Sequence, residues 1–332
     1  EVNPELGSLQ DFKDIVNQAH EMGMYVVLDW VANHTAWDHV WVENHPEWYT
    51  ADADGNSPIV PIDNEGGATD WTDVADLNYD NSEMRKQMIE DMKFWLTETN
   101  IDGFRCDMAH LVPLDFWKEA RIHCDIIKPL FWLAECENAN YHPTFDASYA
   151  WDWMHITEKL NQGQVGMNEV YNVLEGYVHY PSGALKLFFT SNHDENSWNG
   201  TEYEKYGIAA KPWAVFTHTW KGLPLIYSGQ ELPNHQRLKF FDKDCIAWGN
   251  DPALHHFYKT LAHSRKQYPA LISGATYNLP TQSNRVMAYL RYDANNVLLI
   301  VLNVSNEVQK ISFSHELLLG SFINIFSGLA FS

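Results

Sequence analysis

Apolar positions along the chain switch between helical and strand spacing in a regular order. Residues 8–22 place Leu9, Phe12, Ile15, Val16 and Ala19 on one helical face, with Ser8 and Asp11 at capping-box spacing and Gly23 as the stop. Residues 24–28 follow as a continuous β-rich run, which predicts a strand covered on both faces and ending at Asp29. A helix over 82–98, with Met84, Met88, Met92 and Trp95 in register, leads into a strand over 101–106. Further strands are predicted at 130–134, 147–153, 185–190 and 223–227. About six strand–helix units imply a parallel sheet, and their number favours a barrel, whose chemistry collects at the carboxyl ends of the strands.

Two stretches break this rhythm. Between Thr35 and Asn81 the chain turns polar and aromatic, as expected of a functional excursion beside a site. Its segment 52–56 resembles a calcium loop only superficially, because the required later Glu is missing, and it reads as a plain turn. From Gly274 onward, short alternating runs at 286–291 and 297–302, joined near Asn295-Asn296, predict a small antiparallel β domain. The expected organisation is therefore a barrel from 1–34 and 82–273, a short inserted domain at 35–81, and a C-terminal β domain at 274–332.

Composition narrows the function classes. The 332 residues are 45% hydrophobic, enough for a large core, and the formal charge is -22. That charge, without clustered Lys and Arg, argues against nucleic-acid and anionic-membrane partners and for a neutral or cationic substrate. No apolar run is long enough to span a bilayer, and the N-terminus carries no signal-peptide pattern. Cys106, Cys124, Cys136 and Cys245 lack metal-type spacing and are expected as buried free thiols.

Four segments at the ends of apolar runs carry the candidate chemistry: residues 29–34 (DWVANH), 103–107 (GFRCD), 133–135 (LAE) and 191–194 (SNHD). Acids at successive strand ends can converge on one sugar ring. Retaining glycoside hydrolysis needs an ionised carboxylate nucleophile and a carboxylic acid about 5 Å apart. Asp107 and Glu135 fall on neighbouring predicted strand ends, where that spacing is attainable. Arg105, two residues before Asp107, shares its face and can hold it ionised, while Trp132 and Leu133 near Glu135 are expected to desolvate it into the protonated form. His193 and Asp194 end a later strand, where they can bind ring hydroxyls and stabilise developing positive charge.

Taken together, the four segments resemble, in order and spacing, the signatures of the α-amylase family of glycoside hydrolases (family 13). The resemblance implies a (β/α)8-type barrel and assigns Asp107 as nucleophile, Glu135 as general acid/base and Asp194 as transition-state stabiliser. It places Arg105, His34, His193 and His110 around the attacked glucose and gives Asp29 a supporting role. Arg237, after the last strand, is a candidate for more distant glucose units, with a surface ion pair as its other reading. Residues 74–78 (VADLN) are similar to a further signature at the end of the family's inserted domain. Calcium is the cofactor that the family implies, with Asn33, Asp76 and the Leu111 carbonyl as corresponding ligands.

The implied activity is hydrolysis of α-1,4-glucosidic bonds in starch or malto-oligosaccharides. The same acids would serve a cyclomaltodextrinase or a glucanotransferase, and a different class of reading is a truncated, weakly active α-glucan-binding protein. Residues 1–7 resemble the stretch after the family's second strand, so a barrel lacking its first two strands is expected, with a homodimer as one way to close it. The C-terminus likewise resembles a β domain that stops before its last strands. Extracellular or periplasmic location follows from the resemblance alone.

Overall fold

The computed structural model describes residues 2–63, 65–249 and 252–331, so Glu1 and Ser332, at the ends of the terminal segments read above, lie outside it. The chain divides into two compact units, Glu1–Tyr149 with Pro181–Ala184, and Ala150–Tyr180 with Leu185–Ser332. Among the described residues no helix is long and apolar enough to cross a membrane.

In the first unit, four strands run parallel in the order Val27–Val31, Gly103–Asp107, Phe131–Ala134, Ala147–Tyr149. The helix Leu9–Glu21 starts at a complete capping box: Asp11 N–H donates to Ser8 Oγ, and Ser8 N–H donates to the Asp11 carboxylate. The helix Ser82–Thr99 is capped by Asn81 and ends on Asn100 in left-handed backbone, burying Met84, Met88, Met92 and Leu96 as its spacing requires. Phe104 and Trp132, on the sheet face turned to the helices, lie 5.4 Å apart between ring centroids and have no exposed surface. Gly103 leaves no room for a side chain against the neighbouring strand, since a Cβ there would sit 2.0 Å from Phe131 O. At the amino ends of the strands, Asp102 accepts hydrogen bonds from Val26 N–H and Lys128 and pairs with His20. The inserted stretch holds an antiparallel ribbon, His34–Ala36 with Val74–Asp76, and a turn at 52–56 closed by the Asp52 carboxylate.

The second unit contains two further parallel strands, Leu185–Phe188 and Leu223–Pro224, and the helices Trp151–Asn161, Met167–Gly176, Ala210–Thr219 and His255–Gln267. Its C-terminal part is an antiparallel sheet in the order Val297–Asn303, Val286–Tyr292, Ala275–Asn278, the antiparallel pairing expected from the alternating runs.

Three expected strands differ by three residues or more at an end. The first strand is Val27–Val31, not 24–28, and its alternate residues are exposed, because among the described residues it pairs on one side only. Met24 and Tyr25 are left exposed ahead of it. The strand expected over 147–153 ends at Tyr149, and a helix begins at Trp151, whose buried Trp153, Met154, Thr157 and Leu160 have helical spacing. The last strand stops at Pro224, and Tyr227 N–H turns to the Gln230 side chain. Of the four free cysteines, Cys245 is exposed rather than buried, because it follows a loop residue, Asp244, outside any helix or strand.

Candidate active site

Sheet register sets up the first half of the site. Asp29 lies opposite Arg105, and Val31 opposite Asp107, so one carboxylate from each strand flanks the same guanidinium. Arg105 Nη1 donates to Asp29 Oδ1 at 2.9 Å and to Asp107 Oδ1 at 2.7 Å, while Nη2 lies 2.7 Å from Glu135 Oε2. Its Nε donates to the Tyr149 hydroxyl at 3.3 Å. Burial alone would depress the Arg105 pKa, but Tyr149, Glu135, Asp29 and Asp107 around it raise it well above the ordinary value. Arg105 is therefore a fixed cation that holds three carboxylates, Asp29 within the first strand and Asp107 and Glu135 at the ends of the next two.

Glu135 is 6% exposed and its backbone N–H continues the sheet by donating to Cys106 O at 3.0 Å. Its Oε2 also accepts from Met108 N–H at 3.1 Å. To aim that N–H, Met108 adopts left-handed backbone at φ 41°, an unfavourable conformation for a residue with a side chain, directly after Asp107. The expected apolar surroundings of Glu135 are thus supplemented by an Arg contact and a backbone donor.

Two neutral imidazoles border these acids. Desolvation lowers the pKa of His34 against the pull of Asp107 and Asp73, and its ring packs edge-on to Trp71 at 5.7 Å. Desolvation also lowers that of His110, in the turn Ala109–Leu111, against a backbone hydrogen bond at Glu135 and the charge of Asp107. At neutral pH both can exchange hydrogen bonds with sugar hydroxyls without adding charge.

The second unit carries His193 and Asp194. Asn192 Oδ1 accepts from Asp194 N–H and Glu195 N–H at 3.0 and 2.8 Å, turning the chain after the Leu185–Phe188 strand into a π-helical segment, Glu195–Asn199. His193 Nε2 and Asp194 Oδ2 are 3.3 Å apart and both side chains are partly exposed. Glu195 turns inward and pairs with Lys205, their side chains only 4% and 2% exposed. Behind them, Glu202 Oε2 accepts from Thr190 Oγ1 and Gln230 Nε2 at 2.9 and 2.6 Å. Arg237 Nε donates to both oxygens of Glu204, at 2.9 and 3.1 Å, so the ion pair that was its other reading is present.

The structure thus brings Asp29, His34, Arg105, Asp107, His110 and Glu135 together in one unit and places His193, Asp194 and Arg237 in the other. Sequence reasoning missed Tyr149, Met108 and the Glu195–Lys205 pair. Tyr149 had a usable signal, its place at the end of a strand next to the one bearing Glu135; the other two depend on a backbone angle and a contact across helices.

The oxygen donors suggested for calcium can be weighed on their own chemistry. Asn33 and Asp76 are both buried beside the two strands of the inserted ribbon, where Leu77 N–H donates to Asn33 O. Asp76 is raised to about 6 by burial, which the hydrogen bond from Thr50 Oγ1 at 2.6 Å only partly offsets. A buried carboxylate with a neutral partner is the situation a hard divalent cation relieves, so these residues fit calcium. Leu111 ends the turn after Met108. Among the described residues no group of three or more His, Cys, Asp and Glu is arranged to hold a metal ion.

Residues 1–245 match the profile of the α-amylase catalytic domain. The α-amylase MalA of Haloarcula japonica is 29% identical over 328 residues, covering 92% of this chain and 47% of that protein. Among solved structures, the noncanonic maltogenic α-amylase AmyB of Thermotoga neapolitana superposes with a TM-score of 0.89 at 31% identity, over 100% of this chain and 78% of the other. An α-amylase from Lactobacillus plantarum gives 0.85 at 29%, over 99% and 79%. A Bacillus cyclomaltodextrin glucanotransferase and a Bacillus cyclomaltodextrinase are more distant, at 26% and 24% identity over 91% of this chain and 46% and 58% of theirs. The chain spans about half the length of several of the curated relatives it matches. Four strand-end signatures in order, a parallel α/β architecture followed by a small antiparallel sheet, and a profile match over most of its length together show that this chain belongs to the α-amylase family of glycoside hydrolases.

Proposed function

We propose that this chain hydrolyses α-1,4-glucosidic bonds in starch or malto-oligosaccharides with retention of configuration, its six parallel strands being six of the eight in the family's barrel. The supporting observation is the clamping of Asp107 and Glu135, from adjoining strand ends, on one guanidinium. Shared contact with Arg105 favours the short carboxyl spacing of the retaining class over the wide gap that holds a water. In the first step Asp107 attacks the anomeric carbon as Glu135 gives its proton to the leaving glycosidic oxygen. In the second, Glu135 takes a proton from water, which attacks the same carbon and releases Asp107. The family resemblance assigns Asp194 to stabilising the oxocarbenium-like transition state and His34, His110 and His193 to binding hydroxyls.

Bound calcium would neutralise Asp76 and tie the inserted ribbon, through Asn33, to the end of the first strand. A second reading, cyclodextrin hydrolysis or glucan transfer, is favoured by the two Bacillus relatives, since the same acids serve it. The deciding experiment is digestion of maltoheptaose by the wild type and by Glu135→Gln, with product lengths and anomers recorded. Linear α-anomer products that disappear in the variant support hydrolysis. Cyclic or lengthened products point to transfer, and β-anomer products overturn the retaining assignment.

A further inference from the structure

The segment that follows Asp194 carries a feature which the catalytic reading does not use. Trp198, on the π-helical turn, stands with Phe240 and Phe241 of the next loop in a three-ring cluster, with centroids 5.0, 5.8 and 5.0 Å apart. The three residues are 54%, 46% and 74% exposed, so the rings touch one another but are not covered. Contiguous exposed apolar surface of this kind is a candidate binding site.

The cluster is braced from beneath. Asn196, buried on the same turn as Trp198, accepts from Leu238 N–H at 2.8 Å and donates to Gln236 O at 3.3 Å. Asp244 accepts from Lys239 N–H and Cys245 N–H, closing the loop around Phe240 and Phe241. The Arg237–Glu204 pair ties the same loop to the helix Glu202–Tyr206. Fixed rings lose little entropy when something stacks on them.

We propose that Trp198, Phe240 and Phe241 form an α-glucan-binding platform, continuous with the segment bearing Asp194, for glucose units away from the cleaved bond. The proposal rests on the function proposed above. Glucose presents apolar C–H faces that stack on aromatic rings while its hydroxyls stay solvated. The ring planes are inclined at 46°, 72° and 81° to one another. Such a set offers faces to a turning α-1,4 chain, not to a flat β-1,4 ribbon.

The test compares the wild type with Trp198→Ala and with the Phe240→Ala/Phe241→Ala double variant, each checked for an unchanged thermal midpoint. Turnover of maltoheptaose and maltotriose is measured, and maltoheptaose and cellohexaose binding is followed by calorimetry in the Glu135→Gln background. The expected result is a fall of about tenfold or more in the maltoheptaose-to-maltotriose ratio of kcat/KM and a similar loss of maltoheptaose affinity, with no cellohexaose binding by any form. An unchanged ratio and affinity in an active enzyme overturns the platform and leaves the hydrolytic reading standing. Maltoheptaose binding that depends on the rings in a wild type without turnover overturns the hydrolytic reading and keeps the platform. Equal binding of cellohexaose overturns the α-glucan assignment.

Discussion

One guanidinium serves three carboxylates in the first unit, and its forked shape matters as much as its charge. Lysine offers a point charge that cannot reach Asp29, Asp107 and Glu135 while also bonding Tyr149, so Arg105→Lys should lower kcat on maltoheptaose by about a hundredfold or more despite conserved charge. Steady-state kinetics on the folded variant check this, and near-normal kcat would show that the fork is dispensable. Asp76 gives a prediction in pH. Its pKa is raised by burial to about 6, so its charged form is penalised in the folded state. The penalty is absent below the ordinary carboxylate range, grows from there to about 6, and is complete above it. In chelator at pH 7, Asp76→Asn should therefore melt higher than the wild type and lose that advantage near pH 4, whereas added calcium should stabilise the wild type more than the variant. Equal calcium shifts in both proteins would remove Asp76 from the metal site. Residue chemistry of this kind was legible only in part: Arg105 and Asp107 declared themselves by two-residue spacing, whereas Met108 acts through its backbone N–H and φ angle, which its side-chain type does not announce.

At the level of elements, the turn after Asp194 is pinned by a buried charge pair. Leaving Glu195 without Lys205 strands a carboxylate in the interior, so Lys205→Met should cost about 3–5 kcal/mol by denaturant titration, and adding Glu195→Gln should recover much of it. A small effect of the single variant would mean that the pair is solvated in solution. Gly103→Ala pushes a methyl into the Phe131 carbonyl, and the expected outcome is a loss of about 1–3 kcal/mol with lower activity, as the strands bearing Asp107 and Glu135 separate. Periodicity located the parallel strands and the helices Leu9–Glu21 and Ser82–Thr99, but the helices Leu114–Asp125, Trp151–Asn161, Met167–Gly176, Ala210–Thr219 and His255–Gln267 were not read from it. It erred where a strand was short: beyond Tyr149 an apolar run reads equally as strand or helix until Trp153, Met154 and Thr157 are seen to bury one helical face.

Over the whole chain, a formal charge of -22 implies self-repulsion that salt screens. The thermal midpoint should rise as sodium chloride goes from about 0.01 to 0.5 M, most steeply at low salt. A falling midpoint would show that ion pairs such as those of Asp102 and Arg85 outweigh the excess of acid. The same excess agrees with an uncharged glucan as substrate.

The sequence by itself determined the class of fold, the order of its strands, the family and the acids at the strand ends, because hydrophobic period and short signatures are local properties. Tertiary structure decided what those acids touch: that Arg105 grips Glu135 as well as Asp107, that Tyr149 completes its shell, that Lys205 meets Glu195, and that three separate aromatics stand together in solvent. Each of these depends on register between strands or on the meeting of segments distant in the chain, and neither is written in the spacing of any one of them.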